Sequence, residues 1–219
     1  MAKPKIVSNR IYAVVNQKGG AGKSTTAAHL AYWLKSQGSV LFVEADKQPS
    51  SSPWVEELGL DFETIYDPED LIEKLPQFAA EYDSVVVDGP GNASEVTKAI
   101  LTRCHVAIVP NRASDLDLRS SGLIVTFIKH VREYRQDLIA LMFVNAAKSR
   151  SILLREAKEV LTECSIPLLN TVINDWTSIT DSPGQRKTVF QMGAKAAAAA
   201  KAYDALFTEI LEATANGKA

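Results

Sequence analysis

The sequence is short of several features that would have narrowed its chemistry at once. It has two cysteines, Cys104 and Cys164, far apart and without a C-x-x-C spacing. That excludes a disulfide framework, a thiolate metal knuckle and a dithiol redox centre, and leaves two reduced structural thiols. No run of about 18 apolar residues occurs, and no apolar signal region opens the chain, so nothing predicts a membrane span or export. A cytoplasmic protein is expected. Basic excess is missing too: 24 Lys+Arg against 26 Asp+Glu give a formal net charge of −2. Whole-surface attraction to nucleic acid is thereby excluded, and DNA binding would need a local patch. Neither a repeat nor a linker stands out in the 219 residues, which suit a single domain over 1–219 and are short for two.

What is present is alternation. Apolar runs alternate with amphipathic stretches, and 46% of the residues are hydrophobic, enough to bury a core. Strands are predicted at 11–16, 40–44, 84–88, 106–109 and 139–144, with a weaker one near 169–173. Their near-continuous Val/Ile/Leu content suits strands buried on both faces. Helices are predicted at 23–36, 68–81, 94–101, 116–134, 152–163 and 194–214. The alanine run 196–200 reads as a close-packed part of the last helix, and the tail after Ala213 should fray. The expected fold class is α/β, a doubly wound, mainly parallel sheet with helices on both faces. Right-handed crossovers would put every strand's C-terminal end on one edge, where open α/β sheets bind ligands. Asp46, Asp88, Asn111 and Asn145 all fall at or just after such ends.

Between the first strand and the first helix lies Lys18-Gly19-Gly20-Ala21-Gly22-Lys23-Ser24-Thr25. Small residues in such a turn leave several backbone N–H groups free to face an anion, and the positive end of the following helix adds to the field. Lys23 supplies a compact charge to the outer phosphates of a nucleotide, and the Ser24 hydroxyl is placed to ligate Mg²⁺. The match to G-x-x-x-x-G-K-[ST] is incomplete, because Gln17 stands where the first Gly belongs and a second lysine, Lys18, opens the loop.

Phosphoryl transfer also needs carboxylates for Mg²⁺ and for the attacking water. The segment Val85-Val86-Val87-Asp88-Gly89-Pro90 is an apolar strand ending in Asp, so Asp88 is expected to reach Mg²⁺. A carboxylate capping the strand-to-loop turn is the plainer alternative. A second acidic pair, Glu44 and Asp46, follows the second strand in Val43-Glu44-Ala45-Asp46-Lys47-Gln48.

The loop Lys18 to Thr25 resembles the deviant Walker A box, K-G-G-x-G-K-[ST], of the ParA/MinD family of dimerising ATPases. The resemblance spans nearly the whole chain and is most like the short plasmid-partition ParA proteins, through Gln185-Arg186-Lys187-Thr188-Val189-Phe190 and Ala205-Leu206-Phe207-Thr208-Glu209-Ile210. It implies a P-loop fold and ATP/ADP with Mg²⁺ as cofactors, held by Lys18, Gly19, Gly20, Ala21, Gly22, Lys23, Ser24 and Thr25. It implies metal ligation by Ser24, Asp46 and Asp88, and catalytic roles for Lys18, Lys23 and Asp46. Asp46 is the expected water-orienting residue, at the second Asp of the family's D-x-D-P-Q. Here Glu44 and Lys47 depart from that pattern and Gln48 keeps it. Lys18 is expected to reach the phosphates of a partner's nucleotide, so that two ATP molecules are sandwiched in a homodimer. Asn145 stands where relatives bind adenine. Pro110-Asn111-Arg112-Ala113-Ser114-Asp115-Leu116-Asp117 resembles the family's P-x-x-P-S-x-x-D near the dimer interface, though Ser114 and Asp115 would serve equally as helix N-caps.

By the same resemblance the dimer binds DNA without sequence preference and works with a ParB-like or other adaptor. Arg155, Lys158, Arg186, Lys187 and Lys195 are the foremost DNA-binding residues, with Arg150 and Lys201 as further candidates. The main expectation is segregation of plasmid DNA on the nucleoid. The alternatives are a positioning ATPase for a non-DNA cargo such as a carboxysome, a MinD-like membrane switch and a dethiobiotin synthetase-like ligase. The two Glu and single Lys after Phe207 argue against the membrane, and a ligase would have no need of Lys18.

Overall fold

The computed structural model describes residues 7–47, 52–92, 94–113, 118–149 and 151–215. Gln48, Ser114, Asp115, Asp117 and Arg150 therefore lie outside the described residues.

Seven parallel strands form one sheet in the order β3-β2-β4-β1-β5-β6-β7. They are β1 Arg10–Val14, β2 Val40–Glu44, β3 Asp61–Thr64, β4 Ser84–Asp88, β5 Val106–Arg112, β6 Ile139–Ala147 and β7 Leu168–Asn174. The helices are α1 Lys23–Lys35, α2 Ser52–Glu57, α3 Pro68–Glu81, α4 Glu95–Arg103, α5 Leu118–Arg132, α6 Ile152–Thr162, α7 Thr177–Asp181 and α8 Ala197–Ala215. Two short 3₁₀ turns, Val189–Gln191 and Gly193–Ala196, precede α8.

Period-two alternation sends each central strand's side chains to two separate cores. From β1, Ile11 and Ala13 join the layer of α3 to α6, whereas Tyr12 and Val14 join the layer of α1, α2 and α8. Helix α1 buries Ala27, Ala28, Leu30, Ala31, Trp33 and Leu34, so it is wedged between the sheet and its outer neighbours rather than laid over the surface. Chain order reverses around β1: α1 leads to β2 on one side, while β5 lies on the other. Ligands of open α/β sheets collect at such a switch point.

Helix α3 begins and ends where expected because its start is fully specified. Asp67 caps the N–H groups of Glu69 and Asp70, and Pro68 occupies the first turn. The last helix differs from expectation: its first residues, through Ala196, are a 3₁₀ turn, and α8 proper starts at Ala197. Of the alanine run, Ala196 and Ala199 are buried while Ala197 and Ala198 are exposed. Helix α4 starts one residue later and ends two later than predicted, with Ser94 as its cap. Strand β3 and helices α2 and α7 were not expected at all.

Candidate active site

The loop after β1 is held from both ends. Asn16 donates to Pro110 O at 2.7 Å, tying the end of β1 to β5, and its Oδ1 accepts from Lys18 N–H at 3.2 Å. Gly22 has φ 92°, a left-handed conformation that favours glycine. A Cβ at that position would also fall 2.1 Å from Asn145 Nδ2. The amide of Asn145 comes in this close because it donates to Ala21 O at 2.8 Å. Helix α1 then starts at Lys23, with its first backbone bond from Thr26 N–H to Gly22 O at 2.9 Å.

A cavity of about 700 Å³ opens over this loop, lined among others by Gly19, Lys23, Ser24, Asp46, Gly91 and Asn92. Of the expected residues, Gly19, Gly20, Gly22, Lys23, Ser24, Thr25 and Asp46 line it, with Lys47 on the rim, whereas Lys18, Ala21 and the buried Asp88 do not. Lys23 Nζ donates to Lys18 O at 3.1 Å. Burial lowers the Lys23 pKa, while Asp88 and Asp46 draw it back up. Asp88 ends β4 directly beside Glu44 of β2, and both are fully buried. Burial pushes the Asp88 carboxyl up to about 7, against the hydrogen bond from Ser24 and the charge of Lys23, with Glu44 and Asp46 adding to the rise.

Asp46 and Glu44 divide clearly. Asp46 faces the cavity, and its Oδ2 accepts from Gly91 N–H at 3.2 Å, which orients the carboxylate across the opening. Glu44 is shut beneath the strand ends and does not line the cavity. No cluster of three or more His, Cys, Asp or Glu able to hold a metal occurs among the described residues. That suits Mg²⁺, which takes one or two protein carboxylates together with phosphates and water. Ser24 and Asp88, hydrogen-bonded to each other at the loop, fit such a metal.

A second cavity, about 250 Å³, adjoins the first on the β5–β7 side. Gly20, Gly22 and Thr25 line both, and the second adds Arg112, Asn145, Asp175, Trp176 and Ile179. Trp176 caps α7, and the chain reaches this cavity through an irregular β6–β7 pairing, with register shifts around Val144 and left-handed Ala146 at φ 48°. Sequence reasoning missed Asn16, Arg112 and Trp176 as site residues. Only the placement of Asn16 and Arg112 at strand ends could have suggested them.

The basic residues singled out for DNA are dispersed. Arg155 on α6 is exposed and pairs with Glu159 at 3.9 Å, and Lys158 is half-buried on the same helix. Arg186, Lys187 and Lys195 are exposed on the stretch between α7 and α8, as is Lys201 on α8. Arg186 forms an ion pair with Glu57, and Lys195 donates to Gln185 at 3.3 Å. No helix among the described residues is long and apolar enough to cross a membrane.

A parallel sheet with a glycine-lysine loop at its switch point, facing two strand-end aspartates, defines a P-loop nucleotide-binding protein. Residues 12–189 match the CobQ/CobB/MinD/ParA nucleotide binding domain, and the chain belongs to that family of ParA/MinD-type ATPase domains. It is 27% identical over 214 residues to the maintenance of carboxysome distribution protein A of Halothiobacillus neapolitanus, covering 94% of this chain and 99% of that one. The protein of that name from Gloeobacter kilaueensis is 39% identical over 114 residues, 50% of this chain and 52% of the relative. In fold the chain is similar to cobyrinic acid a,c-diamide synthase from Mycobacterium smegmatis, solved with an ATP analogue and magnesium. That match has a TM-score of 0.72 at 21% identity and covers 95% and 97% of the two chains.

Proposed function

We propose that this chain is a magnesium-dependent ATPase that pairs with a second copy of itself around two ATP molecules, and that the pair positions a large cargo over nucleoid DNA. The observation that carries the reading is the pair of lysines on one phosphate loop. Lys23 is drawn inward between Asp88 and Asp46 and serves its own nucleotide. A second lysine at the entrance of the loop, Lys18, suits the nucleotide of a partner, where its charge helps hold two subunits together. ATP binding then favours association by mass action, and hydrolysis reverses it.

In this reading Gly19, Gly20, Ala21, Gly22 and Thr25 cradle the phosphates with their backbone N–H groups, and Ser24 and Asp88 hold Mg²⁺. When bound, the ion neutralises charge on the outer phosphates. Asp46, braced by Gly91, orients the attacking water from across the cavity. Asn145 fixes the loop through Ala21, and its Oδ1 can accept from the amino group of adenine.

The likeness along nearly the full length of a carboxysome distribution protein favours a protein compartment over a plasmid as the cargo. An adaptor would link the two. The dispersed basic residues would act as a patch only when doubled in the dimer. A gel shift on random duplex DNA tests the switch: ATP should produce a complex, ADP should not, and Lys18→Ala should abolish it while still binding ATP. A Lys18→Ala protein that dimerises normally would overturn the sandwich and favour a small-molecule ligase. Deleting the gene and imaging the host's carboxysomes tests the cargo: clustered compartments are expected, whereas an even distribution with plasmid loss would reassign the cargo to DNA.

A further inference from the structure

The smaller cavity contains an arginine that the loop motif does not supply. Arg112 ends β5, and its register partner across the sheet is Asn145 of β6. Register partners on neighbouring strands present their side chains to the same face. Here both turn onto the phosphate loop and touch consecutive carbonyls: Asn145 Nδ2 donates to Ala21 O at 2.8 Å, and Arg112 Nη1 to Gly20 O at 3.4 Å. The two contacts are unequal. The asparagine bond is short and buried, whereas the arginine bond is long and uses one of five guanidinium N–H donors. Arg112 Nε is buried without a hydrogen-bond partner among the described residues. No carboxylate among the described residues stands within ion-pair distance of the guanidinium, although Asp175 lines the same cavity. Arg112 is only half-buried overall, so it is the buried Nε–H that is left unmet, which is costly unless an acceptor such as an anion completes it.

The place of that anion follows from the two cavities. Gly20, Gly22 and Thr25 form their common wall. A phosphate chain that starts between Lys23 and Asp46 must cross this wall before its nucleoside enters the space beside Trp176. The phosphate at the crossing is the one attached to the nucleoside.

We propose that Arg112 binds the α-phosphate of the nucleotide in its own subunit, as a second cation at the opposite end of the triphosphate from the one Lys23 serves. This rests on the nucleotide reading above. The planar guanidinium fork suits two oxygens of one phosphate better than a lysine would.

Calorimetric titration of the full chain with ADP and with ATPγS, both with Mg²⁺, tests it. Arg112→Gln keeps a donor for Gly20 O and removes the charge. It should weaken both ligands by the same factor, about tenfold. The gap to the wild type should narrow as salt rises from about 0.05 M to about 0.5 M. Arg112→Lys should recover part of the loss at low salt, and the ligand-free melting temperature should stay unchanged. Unaltered ADP affinity in Arg112→Gln overturns the proposal, as does a loss confined to ATPγS, which would put the contact at the γ-phosphate or on a partner's nucleotide. An equal loss in Arg112→Lys that does not respond to salt also overturns it, since that marks structural support of the loop. Failure of the wild type to bind ADP is a different result: it brings down the nucleotide reading itself.

Discussion

The two cavities that meet at Gly22 are built in opposite ways. The larger one draws mostly on one stretch of sequence between Gly19 and Thr25, facing Asp46 and Gly91 just past the ends of β2 and β4, which pair in unbroken register. The smaller one is assembled from Arg112 on β5, Asn145 on β6, and Asp175 and Trp176 between β7 and α7, and its β6–β7 pairing shifts register twice. Strain gathers on the same side, at Ala146 with φ 48°. The loop side is therefore a motif, and the side beside Trp176 is a junction. A motif repeats across many proteins because phosphate chemistry fixes it.

The sharpest way to break the comparison is to remove the motif's cation. Lys23→Ala should reduce ATP affinity or turnover by roughly 10²- to 10³-fold, because developing phosphate charge loses its nearest partner. Turnover assays with Mg²⁺ would measure it. A loss no larger than that of Arg112→Gln would erase the distinction between the two sides.

Acid sharpens it from below. His29 lies in α1 under the phosphate loop, wholly buried, and stacks on Tyr203 at 4.6 Å. Its Nδ1 donates to Thr25 O at 2.7 Å and its Nε2 accepts from Val189 N–H at 3.0 Å, an arrangement that requires the neutral ring. Burial lowers its pKa from 6.5 to about 4. The folded value lies below the ordinary one, so this contribution is complete above pH 6.5 and is lost as pH falls toward 4. It amounts to roughly 3 kcal/mol. Denaturant midpoints across that window should fall in the wild type and lose the corresponding slope in His29→Gln.

Asp88 works with the opposite sign. Its carboxyl is raised from 3.8 to about 7, so the ligand-free fold bears a penalty that grows as pH rises through that interval. Asp88→Asn should therefore stabilise the ligand-free protein at pH 8, by on the order of 2 kcal/mol, while removing the Mg²⁺ dependence of nucleotide binding. Melting curves with and without Mg²⁺ would check both halves. The smallest effect belongs to the surface: Arg186→Ala breaks an exposed ion pair with Glu57 and should cost less than about 0.5 kcal/mol.

How legible each part was in the sequence follows the same division. Strands β2 and β4 and helix α3 were readable to the residue, since five apolar-rich residues buried on both faces, or an Asp67-Pro68 start, leave little choice. Strand β3 was not readable: Asp61, Phe62, Glu63 and Thr64 form a short, largely exposed edge strand whose charged residues guard an open sheet edge. Strand β6 runs three residues past its last valine because pairing continues through polar Asn145 to β5 and Ala147 to β7, which no hydrophobic pattern reveals. In the site, Lys23 and Ser24 could be read from the loop motif and Asp88 from its strand end, whereas the choice of Asp46 over Glu44 came from the family resemblance. Arg112 could not, because its position depends on which strands become neighbours.

The switch itself is most directly tested by sedimentation of the Asp46→Ala protein with Mg²⁺ and either ATP or ADP. If Asp46 orients the attacking water as proposed, its removal slows hydrolysis by about 10²-fold or more while leaving the phosphate cradle intact. A persistent dimer with ATP, a monomer with ADP, and a monomer with either nucleotide once Lys18→Ala is added are the predicted results. A protein that stays monomeric with bound ATP, or dimerises equally with ADP, would contradict the account.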